Sequence, residues 1–258
     1  MEKLSVIIPT LNEASYLPQL LHALRNQTRV PDEIIVADAG SVDGTAGLAR
    51  ASGILVVPGG RPSVGRNAGA KAATGDIFLF LDADVRPAPD FIERALDKFR
   101  AAGGGVASCF IDTLNPNLTD RLIIEVSNSC MWAVRKISPH APGFCIFVDS
   151  QIYRLIGGFD ESLILSEDHD FVRRASKYCT FHILAPVRIP VSFRRIEKEG
   201  LGMLMLKYLW CELHILINMP LHSLPFAYEF GTYSPLLTNS KVPHTVRRMA
   251  RRIRLILN

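Results

Sequence analysis

The chain has 258 residues, of which 48% are hydrophobic and 21% charged, and a formal net charge of +4. A chain of this size and composition buries a full core without disulfides or a structural metal, and its scattered cysteines (Cys109, Cys130, Cys145, Cys179, Cys211) form no CxxC pair, which argues against zinc or dithiol redox chemistry and for a reducing compartment. Residues 194–258 hold ten Lys/Arg against four Asp/Glu, so residues 1–193 sum to −2 and the basic excess of the tail predicts an anionic partner for that end.

Leu4–Pro9 reads as a short continuous strand, and Asn12-Glu13 opens a helix with Leu17, Leu20, Leu21 and Leu24 at helical spacing. Glu33–Asp38 is a second strand followed by a helix from near Gly44. Gly53–Val57 is a third strand, and Val64–Ala73 a third helix that ends at Gly75. Ile77–Leu81 is the most apolar strand and stops on Asp82-Ala83-Asp84. Fully apolar strands alternating with helices predict an α/β fold, its mostly parallel central sheet covered by helices on both faces.

Beyond residue 90 the pattern gives a helix at Phe91–Ala102, a strand at Val106–Ile111, a helix at Asp120–Arg135 and a strand at Phe144–Val148. A helix follows from about Glu167, then strands at Thr180–Leu184 and Val187–Phe193. No repeat or linker interrupts the chain before about residue 197, so 1–197 read as one domain and 198–258 as a helical extension, apolar and then basic.

On a helix at 198–221, Lys207, His214 and Asn218 fall within roughly 20° of one line, and most of the remaining surface is apolar. Such a helix is buried in protein or lies in a bilayer interface, while Lys207, Glu212 and His214 interrupt a transmembrane span. Farther on, Arg247, Arg248, Arg251, Arg252 and Arg254 interleave with Met249, Ile253, Leu255 and Ile256. No signal peptide is visible before the first strand, so the expected location is the cytosol. Peripheral contact of 198–258 with the cytosolic face of a membrane is one reading of the extension, and packing on protein the other. Nucleic acid is not expected as a partner, because the arginine cluster carries no aromatics.

Ligands of an open parallel sheet bind outside the carboxyl ends of its strands. Three polar clusters follow such ends: Pro9-Thr10-Leu11-Asn12-Glu13, the run Asp38 to Thr45, and Asp82-Ala83-Asp84. Two carboxylates one residue apart at the end of a buried strand suit a hard divalent cation that keeps positions open for phosphate; a helix N-cap is the plainer alternative. Ser41 and Asp43 are equally placed to cap the next helix. Glu167, Asp168 and Asp170 crowd together, either as a catalytic carboxylate with neighbours that raise its proton affinity or as acids favoured at a helix N-terminus.

Ser5-Val6-Ile7-Ile8-Pro9-Thr10-Leu11-Asn12-Glu13, the Asp38–Thr45 run and Arg66-Asn67-Ala68-Gly69 resemble, in residue type and order, the family 2 glycosyltransferases. So do Ala73-Thr74-Gly75-Asp76 leading to the DxD motif Asp82-Ala83-Asp84, then Gly157-Gly158-Phe159-Asp160-Glu161 and Glu167-Asp168. The resemblance covers about residues 3 to 195. It implies a GT-A fold, an inverting mechanism and a nucleotide-diphosphate sugar donor, with UDP the favoured carrier and GDP the other choice.

By that resemblance Pro9, Thr10 and Glu13 line the nucleoside pocket, Asp38 accepts a hydrogen bond from the base, and Arg66 lies beside the nucleotide. Asp82 faces ribose and metal, Asp84 ligates Mg2+ or Mn2+ directly, and Asp168 is the catalytic base. Gly157–Glu161 is the turn leading to that base. The Gln-x-x-Arg-Trp of many processive members is absent, and Ser192-Phe193-Arg194-Arg195 stands in the comparable region. That departure speaks against polymer synthesis; Arg194 and Arg195 are either a diphosphate clamp or a solvated pair at a strand end.

Three rival functions are weighed on the same residues. A nucleotidyltransferase wants a glycine-rich phosphate loop after the first strand, which Pro9-Thr10-Leu11-Asn12 is not, and a dinucleotide dehydrogenase fails for the same reason. A non-catalytic nucleotide-sugar binding module would tolerate loss of the metal acids or the base, and all are present. Residues 112–150 are the expected shapers of the acceptor site.

Overall fold

A computed structural model describes residues 2–114, 118–136, 139, 141–192 and 194, with scattered positions between 199 and 214. The elements are β1 Leu4–Thr10, α1 Leu17–Arg25, β2 Glu33–Asp38, α2 Thr45–Ala51, β3 Leu55–Pro58, α3 Pro62–Ala72, β4 Ile77–Leu81, α4 Phe91–Ala101, β5 Val106–Thr113, α5 Leu118–Val134, β6 Cys145–Asp149, α6 Ser150–Leu155, α7 Glu167–Ala175 and β7 Phe181–Val191. The strands form one sheet in the order β3-β2-β1-β4-β6-β5-β7. β6 pairs antiparallel with both of its neighbours, and every other pairing is parallel.

Apolar residues all along a strand mean that both faces are covered, and β4 shows the division of labour. Ile77, Leu79 and Leu81 belong to the core layer shared with α1 and α4, where Leu17, Leu20, Leu24, Phe91, Ile92 and Phe99 are buried. Phe78 and Phe80 point the other way, into a second layer with Phe159, Phe171 and Val172. There the Phe159 and Phe171 rings stack at 4.1 Å, and Phe80 meets Phe159 edge-on at 5.0 Å.

Three sequence expectations change. The two strands expected at 180–184 and 187–193 are one strand, β7, which follows β5 through a register shift between Ser108 and Phe110. The short helix α6 interrupts what read as a featureless stretch. α1 begins at Leu17 and not at Asn12, because Asn12 adopts a left-handed φ of 55° that no helix continues. The division at 197/198 falls where 195–198 lie outside the described residues, as does most of the extension. Of its described positions, Cys211 is buried, Met203 and Leu206 are exposed, and Lys207 pairs with Glu199 at 2.5 Å. Among the described residues no helix is long and apolar enough to cross a membrane.

α3 lies unusually close to the sheet. A Cβ on Gly65 would sit 3.2 Å from Pro9 Cβ, and one on Gly69 would overlap the Ile7 side chain. These two glycines, one turn apart, let the helix settle onto β1 and so bring Arg66 over the strand ends. Gly69→Ala is therefore expected to destabilise the protein by about 1–3 kcal/mol, the usual effect of overpacking. A urea-unfolding midpoint equal to that of the parent would contradict the close approach.

Candidate active site

β1, β2 and β4 are in parallel register, so the loops after Thr10, Asp38 and Leu81 leave the same edge. The first two loops are laced together. Thr10 Oγ1 donates to Asp38 Oδ1 at 3.0 Å, Asn12 N–H to Ser41 Oγ at 2.8 Å, Glu13 N–H to Thr45 Oγ1 at 2.8 Å, and Ala14 N–H to Asp43 Oδ2 at 2.9 Å. Asn12 Oδ1 in turn accepts from the Val42 N–H at 2.9 Å. Asp38 also takes the Gly40 and Ser41 N–H groups and the Ser41 hydroxyl, so its carboxylate organises the loop that surrounds it. Asp43 closes on Thr45 N–H and Oγ1, so the acids of this run serve the loop as well as the helix it opens.

Arg66 is the centre of the next group. Its side chain is only 3% exposed, with Nη1 on Glu167 Oε1 at 2.6 Å and Nη2 on Asp82 Oδ1 at 3.2 Å. Nη2 also donates to the Gly143 carbonyl at 3.2 Å, and the guanidinium lies over the Phe159 ring. Among the described residues its buried Nε has no hydrogen-bond partner. Burial alone would weaken its hold on the proton, but Asp82, Glu167 and Asp168 outweigh that and keep it charged. Gly143 has no room for a Cβ: one built there would run into Arg66 Nη2 and stand 3.1 Å from Asp168 Oδ2, which places Asp168 beside the same guanidinium.

The three acids at the start of α7 divide their work. Burial, reinforced by Asp168, raises the Glu167 carboxyl against the pull of Arg66. Asp170 pairs with Arg173 and Arg174 on its own helix. Asp168 accepts the His169 N–H at 2.9 Å through Oδ1 and is half-buried at the edge. Ser166, just before them, has a φ of 62°; it and Asn12 are the non-glycine residues with positive φ among the described residues, and both border this site. Strain of that kind collects at functional sites.

The other end of the site is built by Arg194. Ser192 N–H donates to the Asp84 carbonyl at 3.2 Å and Arg86 N–H to the Pro190 carbonyl at 2.9 Å, so the end of β7 is tied to the loop after β4. From there Arg194 reaches both Glu13 carboxylate oxygens at 2.6 and 2.8 Å, places Nε 3.0 Å from Asp84 Oδ2, and lies over the Tyr16 ring at 4.7 Å. Arg194 is thus not a solvated strand end. Arg195 lies outside the described residues. Burial pushes the Asp84 carboxyl up to about 6 against the pull of Arg194, and the like charges of Asp82 and Glu13 add to the rise.

Asp82 and Asp84 suit a hard divalent cation by the chemistry of their donors. Both offer carboxylate oxygens; Asp84 carries negative charge in a buried position, 16% exposed, while Asp82 is 40% exposed. Among the described residues no three or more His, Cys, Asp or Glu side chains gather as a metal cluster. Few protein donors are the rule for a magnesium-type ion that completes its shell with substrate phosphates.

Of the residues singled out in the sequence, Thr10 and Asp38 meet directly, Glu13 and Asp84 meet through Arg194, and Asp82 meets the Glu167-Asp168 pair through Arg66. Pro9 lies beneath Gly65 of α3. Sequence reasoning placed Glu167 in the acid cluster without giving it a role of its own, and it missed Gly143, Tyr16 and the work of Asn67. Asn67 donates to the Phe159 carbonyl and Glu161 Oε1 and accepts from the Tyr153 hydroxyl and Phe159 N–H, so it fixes the Gly157–Glu161 turn to α3. Its place beside Arg66 was the available signal; Gly143 and Tyr16 offered none.

Residues 5–135 match the family model described as Glycosyl transferase family 2. Glycosyltransferase AglE of Haloferax volcanii is 29% identical over 184 residues, 67% of this chain and 60% of that protein. Succinoglycan biosynthesis protein ExoA of Rhizobium meliloti is 25% identical over 191 residues, 67% of this chain and 57% of its own. The chain therefore spans about 60% of the length of such relatives. Among solved structures, S. aureus TarS 1-349 in complex with UDP-GlcNAc superimposes with a TM-score of 0.59 at 20% identity, covering 74% of this chain and 58% of that one. Mannosyltransferase PcManGT from Pyrobaculum calidifontis in complex with GDP-Man and Mn2+ gives 0.59 at 22%, covering 73% and 56%. These likenesses establish the GT-A fold.

Breaking a buried ion pair strands the remaining charge, so Arg66→Met is expected to lower stability by about 3–5 kcal/mol. Arg66→Met combined with Glu167→Gln removes both charges and is expected to recover part of that loss in urea unfolding at neutral pH. Strict additivity of the two single changes would show that the pair is not coupled.

Proposed function

The chain belongs to glycosyl transferase family 2, and from that premise we propose that it moves a sugar from a nucleoside-diphosphate donor, preferably a UDP-sugar, to an acceptor hydroxyl or phosphate with inversion. The observation that carries this reading is the row of charges at the sheet edge: Glu13, Arg194 and Asp84 on one side, Asp82, Arg66 and Glu167 with Asp168 on the other. The segments that supply them run from β1 to the end of β7, and titratable groups drawn together at the carboxyl edge of an open sheet mark a candidate site. Two solved neighbours, TarS and PcManGT, are in complex with UDP-GlcNAc and GDP-Man, members of the donor class proposed.

In this reading Pro9, Thr10, Glu13 and Asp38 wall the nucleoside pocket, and Asp82 lies toward ribose and metal. Asp84 with Asp82 would hold Mg2+ or Mn2+. When bound, the cation supplies positive charge to the diphosphate as its bond to the sugar breaks. Arg194 offers N–H donors of the right form for diphosphate oxygens, and Arg195 is assigned the same task. Asp168 takes the proton of the acceptor hydroxyl on its carboxylate, a step worth roughly 10²–10⁴ in rate for a positioned base. Arg66, held by Glu167 and the Gly143 carbonyl, keeps a fixed positive charge between the donor acids and that base. Residues 112–150 are assigned to the acceptor side, with a lipid-linked or membrane-proximal acceptor proposed. Peripheral membrane contact through 198–258 belongs to the same proposal.

A panel of nucleotide sugars assayed for donor hydrolysis with and without EDTA tests the central claim. The expected result is turnover with one donor that EDTA abolishes and added Mg2+ or Mn2+ restores; no metal-dependent turnover with any donor would favour a binding module. Asp168→Asn is expected to lower transfer by about 10²–10⁴-fold while nucleotide affinity stays within a few-fold of the parent. Liposome flotation tests the membrane contact, and full-length protein left in the soluble fraction with anionic vesicles would end that part.

A further inference from the structure

Arg194 holds the carboxylate that the proposed cation needs. Its Nε is 3.0 Å from Asp84 Oδ2 while its two Nη atoms grip Glu13. A cation on Asp84 and the Arg194 fork are therefore alternative counter-charges for one buried group. We propose that Arg194 is an exchangeable internal cation that competes with a divalent metal for Asp84 and gives way only when a diphosphate arrives to receive it, so that metal and nucleotide bind cooperatively. This rests on the donor-site reading above and deepens it.

Charge counting supports the exchange. Glu13, Asp84 and Asp82 bring three negative charges to this end of the site; Arg194 answers Glu13 and Asp84, and Asp82 shares Arg66 with Glu167. A divalent ion alone must displace a guanidinium already ion-paired with its ligand, which leaves that guanidinium with Glu13 as its partner. A diphosphate adds negative charge enough for both cations, and the freed fork finds oxygens of the geometry it prefers. The mechanics are in place as well. The backbone at Ser192 is tied to the Asp84 carbonyl, so the main chain stays while the side chain moves. The Tyr16 ring under the guanidinium gives it a face to move across without losing contact.

Mn2+ binding, followed by the loss of free-ion EPR signal, tests the exchange without any turnover. Titrations are run on the parent and Arg194→Gln, with Mn2+ alone and with saturating UDP or GDP. The parent is expected to bind Mn2+ alone weakly and at least about 5-fold more tightly with nucleotide, the range of an ordinary coupling. Arg194→Gln is expected to bind Mn2+ alone several-fold more tightly than the parent and to lose most of the nucleotide enhancement. If Arg194→Gln does not fold, as judged by circular dichroism, Arg194→Lys takes its place. Its single ammonium cannot span Glu13 and Asp84 as the fork does, and the same direction of change is expected. A parent that responds to nucleotide but a variant whose Mn2+ affinity alone is unchanged or weaker would overturn the exchange and leave the donor-site reading standing. No Mn2+ binding to the parent in either titration would sink both.

Discussion

Arg66 is the constraint on which the site depends. A guanidinium buried to this extent is tolerated only where carboxylates surround it, and those carboxylates would repel one another without it. Asp82 comes from the loop after β4 and Glu167 from the start of α7, with α4, β5, α5, β6 and α6 between them in the chain; the fork between them fixes their spacing, and Asp168 shares its field. The same logic recurs at the other end, where Arg194 joins Glu13 to Asp84. Acids and arginines thus alternate along the sheet edge, and a collection of like charges that would destabilise a fold becomes a lattice that positions it.

How that lattice was built follows from ordinary packing. β4 is apolar on both faces because helices cover both, so its polar residues can stand only where it ends. α3 approaches β1 through glycines, which is what lets the side chain of Arg66 reach across the strand ends. The two polar loops after β1 and β2 satisfy each other's backbone groups, so Thr10, Glu13 and Asp38 are held on a scaffold of hydrogen bonds and not on free loops.

Much of this was legible before any coordinates. Strand β4 and the acids that end it, the leucines of α1 and the polar strand-end clusters follow from periodicity and from the rule for open sheets, and the family resemblance gave the GT-A fold, now supported by family membership and by solved relatives. What was not legible is what depends on long-range geometry. Nothing in Thr180–Phe193 announces that two apolar runs form one strand beside β5, because its partner sets that register. Arg194 read equally well as a solvated residue, since a single cation carries no sign of which acid it will meet. Glu167 and Asp168 were indistinguishable by composition, and only the placement of Arg66 separates the buried, paired acid from the half-exposed one.

The reversed direction of β6 has a further bearing. Parallel strands deliver to the ligand edge the segments that follow them; a strand running the other way delivers the segment that precedes it. The chain just before Cys145, including Gly143, accordingly arrives at the site from outside the alternating pattern, yet it supplies a carbonyl to Arg66. Such an entry segment can change length and chemistry without disturbing the loops after β1, β2 and β4, provided that the small residue Gly143 is kept. On the proposal that residues 112–150 face the acceptor, that single inverted connection is a ready route for change on the acceptor side alone.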